Sequence, residues 1–154
     1  MGANSGRETD LLKLYSSKIL SLASSIPHVG RLEAPDASVR RRAPLCGSTI
    51  TVDVIVKDGV ITEFAQDVKA CALGQASAAV FGAQVIGRNC HEIRTARDQM
   101  KAMLADHGPV PDAPFSEFEV LIPAREFGNR HASILLAVEA TLDALCQLEH
   151  ANCA

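Results

Sequence analysis

The sequence predicts an α+β domain in which helices cover one face of a small antiparallel sheet. Three observations predict it. A β-hairpin is legible in residues 49–68, helix-spaced apolar residues fill long stretches on both sides of it, and a long amphipathic helix closes the chain. Strand and helix patterns do not alternate as repeated β-α-β units, which argues against a doubly wound parallel sheet.

Taken in order, residues 1–7 carry no periodicity and are expected to form a loose N-terminus. From Thr9, the residues Leu11, Leu12, Tyr15, Ile19, Leu22 and Ile26 recur at helical spacing, with Thr9 or Asp10 as a cap and Pro27 beyond the end. Residues 28–45, with one Gly, two Pro and four Arg, read as a connecting segment. Its run Arg40, Arg41, Arg42 is either a solvated face or a docking patch for an acidic partner.

Ile50, Val52, Val54 and Val56 alternate as in a strand, Asp58-Gly59 supplies a tight turn, and residues 60–68 return as the second strand. Beyond Cys71 a small-residue helix is expected to about Ile86, ended by Gly87. Another helix follows through Ile93, Met100, Met103 and Leu104. Residues 107–114 contain three prolines and form a loop, and residues 115–122 form a short helical or extended piece. The last helix is expected over about 131–149, with Ile134, Leu135, Val138, Leu142, Leu145 and Leu148 on one face and 150–154 as a tail. The domain proper is thus 8–149.

One domain suits 154 residues. A 47% hydrophobic and 21% charged composition is that of a globular protein. Aromatics make up 4% with no Trp, and the net charge is -3, so neither base stacking nor a phosphate backbone points to nucleic acid as a partner. No uninterrupted apolar run approaches the ~18 residues of a membrane span. The first ten residues lack a secretory layout, and Gly6 stands where a myristoylation pattern has Ser or Thr. These features predict a cytoplasmic protein with no membrane partner. Its five scattered cysteines are then free, metal-bound or reactive rather than a disulfide framework.

The chemistry gathers at element boundaries. Cys71 sits in VKACALGQAS, where a strand hands over to a helix, and helix N-termini favour thiolate. A small buried thiol in a helix–sheet contact is the competing environment. Cys46 in PLCGST precedes the first strand of the hairpin, so its position falls beside the end of the second strand and hence beside Cys71. His131 opens the last helix and joins them if that helix end points to the same edge; read alone, it is a helix-terminal surface residue. Two thiolates and an imidazole suit zinc, ferrous iron or an iron–sulfur cluster. Asp53, mid-strand, is too far from that edge to serve as a fourth ligand. Ser77 lacks the flanking glycines of a hydrolase elbow, and no phosphate-binding glycine loop occurs. Cys90 and His91 face different ways on a helix, and Cys146 is a core or boundary residue.

The motifs P-L-C-G at Cys46, VKACALGQASA around Cys71 and RHASILLAVEA at the last helix resemble the U-type iron–sulfur cluster assembly scaffold family, over roughly residues 8–149. The resemblance implies a three-stranded antiparallel sheet with helices on one face. It also implies a non-enzymatic scaffold or carrier that binds iron or a [2Fe–2S] cluster through Cys46, Cys71 and His131. A cysteine desulfurase or a recipient apoprotein is the implied partner, and a homodimer is one arrangement that would supply a missing ligand, as would an external thiol.

The chain departs from the family in two ligand positions. The Asp that follows C-G is Ser48, and the third Cys is Ala132, or His131 if the register shifts by one. Residues 127–129 also depart from the family's chaperone-binding Leu-Pro-Pro-Val-Lys motif. A zinc-binding or metal-free regulatory protein of the same fold is the alternative function, and a sulfur-transfer enzyme the third.

Overall fold

The computed structural model describes residues 14–153. Helix α1 (Ser17–Ala23) leads to three strands, β1 (Ala37–Arg42), β2 (Thr49–Lys57) and β3 (Val60–Lys69). Helices α2 (Ala72–Gln84), α3 (Cys90–Ala105) and α4 (His131–Cys153) follow, with 3₁₀ segments at Ser116–Glu126 and Gly128–Arg130 before α4. The sheet has the order β1-β2-β3 and is antiparallel throughout. This is the predicted α+β fold with a long C-terminal helix.

The hairpin forms as the sequence requires. Asp58 and Gly59 take φ values of 54° and 78°, the left-handed pair that a two-residue turn needs, and β2 and β3 pair on either side. Along β2, Ile50, Val52 and Val54 are buried on the helix side. They meet Leu73, Ala76 and Val80 of α2 and Ile134, Leu135 and Val138 of α4 in one core. Four of the five phenylalanines run through it as a string, Phe64, Phe81, Phe115 and Phe118, with centroid spacings of 6.0, 5.8 and 6.1 Å.

Two local expectations are corrected. The segment 28–45 contains β1, an edge strand. Its arginines hid the pattern because Arg40 and Arg42 stand exposed, while Arg41 turns to the helix side and pairs with Glu139 and Asp143 of α4, both at 2.7 Å. Charge on an edge strand also discourages pairing with another chain. The first helical pattern is interrupted at Ser16, which adopts an extended conformation and caps α1 by accepting from the Ile19 N–H at 3.3 Å. The expected start at Thr9 or Asp10, with Leu11 and Leu12, lies outside the described residues.

The other boundaries follow their signals. Gly87, at φ 88°, separates α2 from α3, and Asn89 closes a capping box with Glu92. Of residues 115–122, all but Phe115 belong to the 3₁₀ segment, which buries Phe118, Leu121 and Ala124. Helix α4 continues past residue 149 to Cys153. By length and composition Gly128–Glu149 could cross a membrane, yet 61% of its most apolar window is buried in the domain, as befits a central helix.

Candidate functional site

The end of the sheet opposite the Asp58-Gly59 turn brings three chain segments together. They are the β1–β2 connection carrying Cys46, the β3–α2 junction carrying Cys71, and the start of α4 with His131 and Ser133. Gly47, at φ 73°, bends the first connection, and the Gly47 N–H donates to the Ala43 carbonyl at 3.0 Å. Cys71 is the N-cap of α2, and its carbonyl accepts from the Gln75 N–H at 2.9 Å. The sulfur makes no capping bond and is free to face the cluster of hydroxyls beside it.

Those hydroxyls join the two cysteines. The Cys46 Sγ lies 3.2 Å from the Ser48 Oγ, Ser133 donates to Ser48 at 3.1 Å, and the Cys71 Sγ lies 3.6 Å from the Ser133 Oγ. Each hydroxyl has one proton. Ser133 donates to Ser48, which leaves the Ser48 proton free for the Cys46 sulfur, and the Cys71 sulfur lies beside the Ser133 hydroxyl. The two hydroxyls thus bridge the sulfurs, with Ser48 against Cys46 and Ser133 against Cys71.

Burial opposes ionisation of Cys46. Hydrogen bonds from the Ser48 side chain and backbone, the neighbouring Ser133 hydroxyl and the positive charge of Arg130 outweigh it and hold the thiol below its ordinary range. Cys46 is exposed, whereas Ser48 and Ser133 are 5% and 1% exposed. The accessible sulfur is thus the activated one. Gly74 on α2 makes the arrangement possible, because a Cβ there would collide with the Ser133 Oγ.

His131 stands at the same helix start, half-buried, with its Nε2 2.9 Å from the Ala124 carbonyl. A carbonyl only accepts, so Nε2 carries the proton and Nδ1 keeps the lone pair in the neutral ring. Among the described residues no group of three or more His, Cys, Asp and Glu side chains is gathered as a ready-made metal site. The structure brings together the two predicted cysteines, and it adds Ser48 and Ser133 between them. Ser48 was legible only as a departure from the family's Asp. Ser133 carried no signal of its own beyond its place two residues after His131.

Asp53 is committed elsewhere. Its fully buried carboxylate takes the Arg31 guanidinium at 2.7 and 3.2 Å and the Leu32 N–H at 3.0 Å. A concavity of ≈ 510 Å³ lies at the far end of the sheet around Asp58, Gly59 and Cys90. Burial, followed by the Glu149 carboxylate, pushes the Cys90 thiol above its ordinary range. A thiol kept protonated is a poor ligand and nucleophile, so the convergence at Cys46 and Cys71 identifies the site better than cavity size does.

Comparison with known proteins gives the family. An iron–sulfur cluster assembly scaffold protein of Thermotoga maritima is 29% identical over 90 residues, which cover 58% of this chain and 63% of that protein, less than two thirds of its length. The crystal structure of a nitrogen-fixing NifU-like protein (N-terminal) from Brucella abortus superposes with a TM-score of 0.89 at 42% identity, covering 92% of this chain and 98% of that one. A putative scaffold protein of the SUF system from Fervidobacterium islandicum shares the fold, with a TM-score of 0.76 at 20% identity over 87% of this chain and 98% of that one. The model of the NifU-like N-terminal domain matches residues 14–116, through both cysteine segments. The chain belongs to the NifU-like N-terminal domain family.

Proposed function

We propose that the protein is an iron–sulfur cluster assembly scaffold or carrier that holds iron or a nascent [2Fe–2S] cluster as cargo on Cys46, Cys71 and His131. The observation that carries the reading is the hydroxyl bridge, which holds two soft sulfur donors at one open mouth and favours thiolate at the exposed one. Membership of the NifU-like family and the scaffold named in Thermotoga maritima support it.

The roles follow from donor chemistry. Cys46 and Cys71 are the soft ligands that iron in a cluster prefers. His131 would ligate through Nδ1 while donating its other ring N–H to the Ala124 carbonyl, the outer-shell pattern that orients ligating histidines. Ser48 and Ser133 occupy buried positions beside the sulfurs and supply hydrogen bonds that tune a bound cluster rather than ligands to it. With Ala132 unable to ligate, the chain offers an incomplete set, which suits a cargo that must leave. A cysteine desulfurase as sulfur source and an apoprotein as recipient complete the scheme, and the protein itself need catalyse nothing.

The test is anaerobic reconstitution with ferrous iron and sulfide, read by iron and sulfide analysis and by the visible sulfide-to-iron absorption. Cys46→Ala and Cys71→Ala should each abolish the band while leaving the far-UV circular dichroism unchanged, and His131→Ala should reduce its lifetime. Wild-type iron and sulfide content in both cysteine variants, or uptake of zinc alone, would refute the scaffold reading.

A further inference from the structure

The mouth that holds Cys46 and Cys71 is bordered by cations that no described side chain neutralises. The register places Arg42, Thr49 and Lys69 in one cross-strand row, the last before Cys46 and Cys71. The next row is Arg40, Thr51 and Asp67. These rows lie on the sheet face away from the helices, since the intervening Ile50 faces the core. Arg40, Arg42 and Lys69 are exposed, and among the described residues none lies within 4.0 Å of a carboxylate. Asp67 is the only acid in the two rows.

An open concavity of ≈ 460 Å³ is lined by Arg40, Arg41, Arg42, Gly47 and Thr49. Gly47 is the residue after Cys46, and the Arg42 guanidinium lies 3.8 Å from where a Cβ on Gly47 would stand. Arg41 is held away by Glu139 and Asp143. A cationic pocket thus adjoins an exposed sulfur, in a site that lacks a ligand where its relatives' motif has a third cysteine.

We infer that a small external thiol bearing carboxylates completes the ligand set, its carboxylates held by Arg42 and Lys69, with Arg40 alongside, and its sulfur delivered to the iron beside Cys46. This rests on the scaffold reading above. The step is a ligand exchange without redox change: the thiol proton passes to solvent, the sulfur lone pair bonds iron, and a weakly held water leaves. A second copy of this chain fits less well, because mouth-to-mouth pairing would set each basic row against its own like charge. A neutral thiol gains nothing from the pocket.

Two measurements test the inference, both with glutathione chemistry as the probe. First, S-methylglutathione, which keeps the carboxylates but has no thiol, is titrated into the metal-free protein by calorimetry. Binding should weaken with added salt and become roughly three- to tenfold weaker in the exposed double variant Arg42→Gln/Lys69→Gln. Absence of binding, or equal binding by the variant with its fold intact, overturns the pocket.

Second, the protein is reconstituted with iron and sulfide in glutathione or in 2-mercaptoethanol and weighed by native mass spectrometry. One chain carrying one cluster and glutathione is expected, with lower loading in 2-mercaptoethanol. Equal loading by both thiols, or a cluster shared by two chains without added thiol, overturns the inference and leaves the scaffold reading standing. No cluster with any thiol, while S-methylglutathione still binds, overturns the scaffold reading and the ligand role with it.

Discussion

At the scale of single residues, the site depends on which atom owns each proton. Ser48 occupies the place of an acid in the related motif, and there it donates to Cys46 instead of adding a negative charge beside it. In the metal-free protein Cys46 should therefore react with iodoacetamide near neutral pH before the half-buried Cys71. Ser48→Ala should slow the Cys46 rate roughly two- to tenfold, the value of one lost hydrogen bond to the charged sulfur. Peptide mass mapping of timed samples checks both statements, and faster alkylation of Cys71 would contradict them. Gly74 acts through space rather than chemistry. Gly74→Ala places a methyl group against the Ser133 hydroxyl and 2.8 Å from the Ala70 Cβ, so thermal unfolding should show a loss of about 1–3 kcal/mol. Alkylation of Cys46 should slow in the same variant, because Ser133 can no longer hold Ser48 in place.

At the scale of elements, caps and edges explain what periodicity alone misplaces. Ser16 interrupts an otherwise continuous apolar stripe because its hydroxyl offers the Ile19 N–H a partner, and a local hydrogen bond competes with helix continuation. Asn89 works the same way for α3, accepting from the Glu92 N–H at 2.9 Å while the Glu92 carboxylate accepts from the Asn89 N–H at 3.1 Å. Asn89→Ala should cost about 1 kcal/mol in urea unfolding with an unchanged slope, since the cap is lost but the surface exposed on unfolding is not altered. A change below experimental error would mean that water replaces the cap at no cost. Strand β1 shows the converse. Its three arginines are poor strand markers, yet the backbone pairs with β2 from Ala37 to Arg42 and Arg41 bridges to α4.

At the scale of the whole molecule, the open sheet face is fastened by a charge placed where it has no solvent. Burial disfavours the Asp53 carboxylate, but hydrogen bonds from Arg31, Ser38 and the Leu32 N–H, together with the Arg31 charge, outweigh it and hold the group below the usual carboxylate range. A depressed folded-state pKa stabilises the fold above the unfolded value, about 4, and that contribution is lost as pH falls through the lower folded value. Asp53→Asn should therefore be less stable than the wild type at neutral pH, and the gap should narrow as the pH drops below about 4. Chemical denaturation at a series of pH values reads this directly, and a gap that widens in acid would contradict it.

The sequence by itself determined the hairpin, the three long helices beyond it and the meeting of Cys46 with Cys71. These depend on local rules: alternation along a strand, the Asp58-Gly59 turn, the 3.6-residue stripe, and the fact that antiparallel neighbours bring the start of one strand beside the end of the next. Only the tertiary structure decided that Ser48 and Ser133 bridge the cysteines, since they lie 85 residues apart and touch because α4 packs across the sheet above Gly74. The same holds for β1, whose arginines read as a loop until a central strand and two acids on α4 are there to receive them. The row of Arg42, Thr49 and Lys69 likewise required the pairing register, which no single strand contains.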